Sequence, residues 1–315
     1  MRTFLQQVPI PTSGLMLGLF SLAKLYASLQ CHVTSSVFFI CGLLLFSLLV
    51  CKIAFAFSSV LHDLTNPIVA SVAPTFTMGM MVMASMLLPH TPLAIGVWLI
   101  AIALQAVLIG YFVYRFIMKQ IVALQDVYPS WFILFVGLGI APVTAADVFP
   151  QLANVLFSFA LVNYIVLLPI VCLRIVKHDL AEATKPLLTI LAAPGSLCLT
   201  GYIQLFEQPN AFLLYALLIA SQLLYVFVCF RLPKLLTLPF YPSYAAFTFP
   251  LVISATALFT AASILTSSFL HGLAMVELSI ATAIVVYVLI RYIRYFVTMR
   301  KTQVRNYHVR TTRPI

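Results

Sequence analysis

Ten apolar runs follow one another along this chain, separated by short polar or proline-rich stretches. A helix needs about 20 mainly apolar residues to cross the hydrocarbon core of a bilayer, and that core accepts only structures that satisfy their own backbone hydrogen bonds. The sequence therefore predicts an all-α polytopic membrane protein of ten transmembrane helices, paired as five helical hairpins. The ten runs, numbered here as segments 1 to 10, lie near residues 9–29, 35–57, 66–88, 92–116, 129–147, 150–173, 186–206, 210–232, 242–266 and 272–297.

The composition excludes a soluble globular protein and gives no support for an enzyme or a nucleic-acid-binding protein. Hydrophobic residues make up 63% of the 315 residues and charged residues only 8%, whereas soluble domains carry about 25% charged residues. The 17 Lys and Arg residues outnumber the seven Asp and Glu residues, but they lie at the ends of apolar runs rather than in one basic patch. The chain contains no Walker A, HExxH or GxSxG motif, so we predict no enzymatic activity and no nucleic-acid partner.

Neither the cysteines nor the histidines form a pattern that predicts a cofactor. The six cysteines lie mostly inside apolar runs, and no two of them have the CxxC spacing. None has a histidine at the spacing of a zinc site. We therefore predict no metal site, no cofactor and no disulfide framework.

Lys and Arg residues mark one face of the membrane, which the positive-inside rule assigns to the cytoplasm. The loops of the opposite face, around residues 32, 90, 147, 207 and 271, contain no Lys or Arg. We predict cytoplasmic termini in the plasma membrane, the inner membrane of a bacterium, with one transmembrane domain at residues 1–299 and a basic cytoplasmic tail at 300–315. The basic residues of the predicted cytoplasmic face are Arg2, Lys52, Arg115, Lys119, Arg174, Lys177, Lys185, Arg231, Lys234, Arg291, Arg294 and those of the tail.

Prolines recur at the cytoplasmic ends of the odd-numbered segments. Pro11, Pro67, Pro129, Pro186 and Pro242 are separated by 56, 62, 57 and 56 residues. This regular spacing indicates an internal repeat. Seven or eight residues after each proline comes a second helix-weakening residue, and these predicted pore kinks are Gly18, Pro74, Gly137, Pro194 and Pro250.

The kinks predict where the odd-numbered segments lie. An interior proline frees the carbonyl four residues earlier, here those of Ala70, Ile190 and Ala246. A freed carbonyl facing lipid is strongly unfavourable, so these positions should face protein or water. We predict that the kinked odd-numbered segments surround a central quasi-fivefold pore and that the even-numbered segments lie outside them. Any single kink has the alternative interpretation of simple helix packing, but five in register favour the pore.

Hydroxyl-bearing residues and the absence of a mid-membrane carboxylate favour anions as the transported species. A cation pathway or proton relay usually requires a carboxylate within the membrane. The N-terminal ends of the odd-numbered helices, which carry partial positive charge, should converge at the cytoplasmic mouth. The candidate pore-lining residues are Ser71, Thr75, Ser196, Thr248 and Ser254, and Ser13, Thr77, Thr200 and Thr256 lie on the same segments.

A few charged residues have more than one interpretation. Asp147 and Glu277 lie near the outer ends of their segments, so we expect them to face the outer surface. Lys24 either forms an anion site at the outer mouth or reaches to the interface and pairs with one of these two carboxylates. His62 and Asp63 are expected in an ordinary solvated cytoplasmic loop.

Three stretches resemble one transporter family. Residues 244–257, with the core Phe247-Thr248-Phe249-Pro250, resemble the ninth helix of the tellurite-resistance and C4-dicarboxylate transporter family, which includes plant slow-type anion channels. Residues 11–18 and 66–78 are similar to the first and third helices of that family. The resemblance implies ten helices in five hairpins around a pore, usually assembled as a homotrimer.

By this resemblance Phe249 corresponds to the phenylalanine that closes the pore at mid-membrane. A ring at that position would block hydrated ions by steric closure and dewetting until it rotates away. We predict passive or uniport-like transport of small inorganic or organic anions across the lipid bilayer, gated by Phe249. The alternative is an ion-coupled exporter or carrier of oxyanions, C4-dicarboxylates or toxic organic compounds; a membrane scaffold and an intramembrane enzyme are the alternatives from other classes.

Overall fold

The structure is a computed structural model that describes residues 2–88 and 91–311, with side chains at residues 3–88 and 91–300. Some predictions fall outside this description. They concern His90, the side chains of Arg2 and of residues 301–311, and residues 312–315. Short 3₁₀ helices at Gly137–Gly139, Glu182–Ala192 and Pro242–Phe247 interrupt the odd-numbered segments. The α-helices, α1 to α14, are Arg2–Gln7, Thr12–Ser28, His32–Phe55, Phe57–Asp63, Pro67–Val72, Thr75–Leu87, Leu93–Phe112, Trp131–Phe135, Ile140–Ala145, Pro150–Lys177, Ala193–Leu205, Ala211–Leu236, Phe249–Ile264 and Ser268–Thr311.

Within the described part of the chain, eight helical segments are long and apolar enough to cross a membrane. They coincide with eight of the ten predicted segments, so the prediction of an all-α polytopic membrane protein is confirmed. The other two are shorter pieces of helix. Segment 1 is the 17-residue helix α2, and segment 5 is divided into α8, a 3₁₀ turn and α9.

The odd-numbered segments are interrupted at four of the five predicted kinks. Helix α5 ends just before Pro74 and α6 begins just after it, while a 3₁₀ turn begins at Gly137. Pro194 and Pro250 each lie in the first turn of an α-helix that follows a 3₁₀ helix, where the missing N–H costs nothing. Gly18 differs, because α2 continues through it without interruption.

One freed carbonyl shows how the interruptions are satisfied. Pro250 has no N–H to give to the carbonyl of Ala246. The hydroxyl of Thr189, in segment 7, lies 2.6 Å from that carbonyl oxygen and donates to it. The interruption in segment 9 is therefore satisfied by segment 7, as expected of a kink that faces protein rather than lipid.

The odd-numbered segments contact one another in a closed circuit. Helix α2 contacts α6, α6 contacts α9, α9 contacts α11, α11 contacts α13, and α13 contacts α2 again. In their most apolar stretches, segments 3, 7 and 9 have 78%, 100% and 72% of their residues buried, whereas segments 2, 4, 6, 8 and 10 have only 22% to 33% buried. The even-numbered helices therefore present most of their surface to the outside, as an apolar surface against lipid requires.

The prediction that Asp63 lies in an ordinary solvated loop is wrong. Its carboxylate forms an ion pair of 2.6 Å with the Lys52 ammonium, which is 1% exposed. The same ammonium donates to the carbonyl of Val8, which precedes α2. The pair connects the end of α3 and the short helix α4 to the N-terminal stretch, and it compensates the buried charge of Lys52.

The last helix extends further than the apolar run that predicted it. Helix α14 continues from Ser268 to Thr311, so the backbone of most of the predicted basic tail is helical. Its apolar part packs on α13 and α2, while Arg291 lies over the rings of Tyr244 and Tyr287.

Replacing Thr189 by Val should lower the stability of the fold. The substitution keeps the shape of the side chain but leaves the carbonyl of Ala246 without its donor, which corresponds to a loss of about 1–3 kcal/mol in the free energy of unfolding. Thr237→Val is the control, because the Thr237 hydroxyl is exposed and bonds only to a carbonyl of its own helix. Unfolding midpoints in detergent measure the stability of both variants. Equal midpoints would show that the bond between segments 7 and 9 does not stabilise the kink.

Candidate functional site

Two cavities lie inside the circuit of odd-numbered segments, and all five segments line each of them. The apolar cavity has a volume of about 70 Å³, and its lining includes Leu17, Met78, Gly137, Leu197 and Phe249. The polar cavity has a volume of about 350 Å³, and its lining includes Lys24, Val82, Val143, Thr200 and Thr256.

The cavities follow one another along a common axis. In α2, Leu17 lines the apolar cavity and Ser21, one turn later, lines the polar cavity. In α13, Phe249 and Ile253 repeat this order. The other odd-numbered segments also meet the apolar cavity first and the polar cavity second, so the five segments run parallel along the axis.

An apolar layer lies at the junction of the two cavities. It consists of one residue from each odd-numbered segment, and all five belong to one buried hydrophobic cluster: Leu17, Met78, Ile140, Leu197 and Phe249. None of the five is more than 6% exposed. Phe249 has the largest side chain among them, so its ring contributes most to the closure.

Close packing between α2 and the start of α13 positions Phe249. A Cβ atom added to Gly18 would lie 2.5 Å from Oγ1 and 2.6 Å from Cβ of Thr248, which is closer than atoms can approach. Thr248 in turn donates from its hydroxyl to the carbonyl of Gly14, at 3.0 Å. Gly18 therefore acts as a point of close approach rather than as a kink, and it holds the residue before Phe249 against α2.

Of the five candidate pore-lining residues, only Thr75 lines one of these cavities, the apolar one. The other four line neither cavity and stay predictions; their hydroxyls bond to carbonyls or to other side chains. Ser71 lies 2.7 Å from the hydroxyl of Ser130 in segment 5. The hydroxyl of Ser196 donates to a carbonyl of its own segment, that of Thr248 donates to backbone of segments 1 and 9, and that of Ser254 accepts from Gln222 in α12.

The polar groups that do face the axis are mostly in the polar cavity. Thr200 and Thr256, two of the hydroxyl residues predicted on these segments, line it together with Gln204 and Thr260. Lys24 also lines it, and its ammonium donates to the hydroxyl of Ser85 and to the carbonyl of Val143. The predicted pairing of Lys24 with Asp147 or Glu277 is wrong, since no ion pair involves Lys24 among the described side chains.

Glu277 is buried, which corrects the prediction that it faces the outer surface. Its side chain is 1% exposed and lies beside Gln222 and Ser254, between α12, α13 and α14. These two side chains are its hydrogen-bonding neighbours, although among the described residues neither carboxyl oxygen has a partner within 3.5 Å. Asp147, by contrast, is exposed as predicted.

The comparison with known families agrees with this geometry. The family model described as voltage-dependent anion channel matches residues 7–293. The chain belongs to this family. It includes the tellurite-resistance and C4-dicarboxylate transporters and the plant slow-type anion channels, so the resemblance predicted from three short stretches is confirmed. No curated protein matches the chain.

Membership of the voltage-dependent anion channel family establishes the general activity. The protein is an integral membrane protein of a family that transports anions across membranes, and the members of this family are transporters and channels rather than enzymes. Sequence reasoning missed two features of the site. One is Ser21, which lines the polar cavity together with Lys24, and the other is the buried carboxyl of Glu277, which only the packing of three helices reveals.

Gly18→Ala should displace the start of α13. The new methyl group would overlap Thr248, a β-branched residue that cannot turn its side chain away freely, so we expect a loss of about 1–3 kcal/mol in stability. Gly110→Ala is the matched control, because a Cβ atom there meets nothing within 4 Å. Thermal unfolding in detergent compares the two. The packing role of Gly18 would be disproved if both variants unfolded at the temperature of the native chain.

Proposed function

We propose that this member of the anion channel family is a passive, uniport-like conduit whose pore follows the axis of the odd-numbered segments and is closed by Phe249. The observation that carries the proposal is the apolar layer between two cavities, each lined by all five segments. A conduit in its closed state requires such an arrangement, with a cavity on each side of one short barrier.

The chemistry of the layer suits a gate. Apolar side chains offer a hydrated ion no replacement for its water shell, so a narrow apolar constriction blocks conduction by dewetting. Phe249 follows a 3₁₀ helix and precedes Pro250, at the start of α13. Rotation of this one ring toward either cavity would widen the layer without moving a helix.

The charges along the axis favour anions. No acidic residue of the described chain lines either cavity, whereas Lys24 lines the polar one. The N-terminal parts of the odd-numbered segments line the apolar cavity, so the partial positive charge of their first turns lies on that side of the barrier. No arginine lines either cavity among the described residues, so the conduit lacks a bidentate clamp for carboxylates and should select weakly among small anions.

Replacing Phe249 by Ala should raise anion flux strongly, because it removes the largest side chain of the apolar layer. Proteoliposomes under an imposed potential, tested with chloride, nitrate, sulfite and malate, measure the flux of each variant. Phe249→Leu, which keeps part of the bulk, should give an intermediate increase. Phe230→Ala is the control, because Phe230 is 82% exposed on the outer surface of α12 and its loss should not change flux.

The gate would be disproved if Phe249→Ala conducted no more than the native chain, or if Phe230→Ala raised flux equally. A flux that rose for cations as much as for anions would disprove the selectivity. The homotrimer implied by the family resemblance stays a prediction, and cross-linking in native membranes tests it separately.

Glu277 favours a second candidate function, an ion-coupled carrier of oxyanions or C4-dicarboxylates. Coupling to protons needs a buried titratable group within the membrane, and Glu277 is such a group. It lines neither of the two cavities, so a proton bound there would have to act through α13. We therefore prefer the passive conduit.

A pH gradient distinguishes the two functions. In the passive conduit, Glu277→Gln should leave anion flux unchanged, and an imposed pH gradient without a potential should not accumulate the anion. In the carrier, the gradient would drive accumulation that Glu277→Gln abolishes. Glu207→Gln, at an exposed carboxyl, is the control for the loss of one acidic group.

A further inference from the structure

Lys24 has an unused hydrogen-bond donor in the polar cavity. Its ammonium nitrogen lies 3.1 Å from Oγ of Ser85 and 2.8 Å from the carbonyl oxygen of Val143. The Ser85 hydroxyl donates its own proton to the carbonyl of Val82, so it accepts from Lys24. An ammonium group has three donors, and these contacts occupy two of them.

Ser21 provides a second unsatisfied group at the same place. It lies three residues before Lys24 in α2, which puts both side chains on one face of the helix, and both line the polar cavity. Ser21 is 9% exposed, and its hydroxyl has no hydrogen-bond partner among the described residues. A buried hydroxyl without a partner is unfavourable by about 1–3 kcal/mol, so an anion that the Ser21 side chain meets by rotating into the cavity would be stabilised there.

The charge of Lys24 is not neutralised by a close carboxylate. No acidic residue in the described ranges lines the polar cavity. Asp147 is close enough to act on Lys24 electrostatically, but it is exposed and forms no ion pair with it. The side of the cavity at Lys24 therefore combines one positive charge with the unpartnered hydroxyl of Ser21. The hydroxyls of Thr200 and Thr256 in the same lining donate to carbonyls of their own helices.

We propose that Lys24 and Ser21 form a binding site for one monovalent inorganic anion in the polar cavity. A single ammonium matches a single negative charge and acts as a point charge, whereas a dianion or a dicarboxylate would leave a second charge without a cation. The proposal rests on the proposed function in one respect, because a conducted anion would occupy this site next to the Phe249 barrier. The site concentrates the anion on the side of the barrier opposite to the apolar cavity.

Nitrate binding to the purified full-length chain tests the site directly. Thermal unfolding in detergent is followed over a nitrate titration, with sodium gluconate keeping the ionic strength constant. A ligand that binds the folded state raises the unfolding temperature in a saturable way. We expect saturation in the native chain and in Lys24→Arg. Relative to the native chain, the half-saturating nitrate concentration should be about tenfold higher in Lys24→Met and about fivefold higher in Ser21→Ala.

Two controls make the test independent of folding defects. Ser158→Ala removes a hydroxyl that bonds only within the outer helix α10 and should leave nitrate binding unchanged. Ser21→Ala removes a hydroxyl that has no partner among the described side chains and backbone groups, so it should fold even if Lys24→Met does not. The site is disproved if Ser21→Ala and the foldable Lys24 variants bind nitrate like the native chain, or if the native chain shows no saturation. Tighter binding of sulfate than of nitrate would disprove the monovalent class.

Flux in the Phe249→Ala background separates this proposal from the proposed function. If Phe249→Ala conducts nitrate and the added Lys24→Met raises the half-saturating concentration, both proposals stand. If Phe249→Ala conducts but Lys24→Met changes neither binding nor half-saturation, the site fails alone. If nitrate binds at Lys24 but Phe249→Ala conducts nothing, the conduit fails and the site stands.

Discussion

The structure depends on one constraint of the bilayer, which is that backbone groups released by a kink must find partners within the protein. Pro74, Gly137, Pro194 and Pro250 mark interruptions of the odd-numbered segments. At Pro250 a neighbouring segment satisfies the freed backbone, because Thr189 donates to the carbonyl of Ala246. Kinked segments must therefore contact one another, while the uninterrupted even-numbered helices remain free to face lipid. The closed circuit of contacts and the two internal cavities follow from this division.

Features that depend on composition and spacing could be predicted from the sequence. The length of each apolar run identified the helices, and the interval between Pro11, Pro67, Pro129, Pro186 and Pro242 identified the segments that lie inside. The short motif around Phe249 identified the family. Each of these signals is read along the chain, so none of them required knowledge of how the helices are rotated.

Features that depend on helix rotation could not be predicted. A 3₁₀ stretch changes the angle between successive residues, so polarity alone does not tell which side of the following helix faces the axis. In α13 the apolar Ile253 faces the polar cavity, and its polar neighbour Ser254 accepts a bond from Gln222 in α12. Glu277 was misplaced for the same reason, because its distance from the end of a run gives its depth in the membrane but not its direction.

The central claim is that one continuous axial path exists and that the ring of Phe249 interrupts it. A cryo-EM structure of Phe249→Ala in lipid nanodiscs, compared with the native chain under the same conditions, tests this claim most directly. The account predicts that the apolar and polar cavities merge into one open path while the five surrounding segments keep their positions. Cavities that remain separate, or a path that opens between other helices, would contradict it.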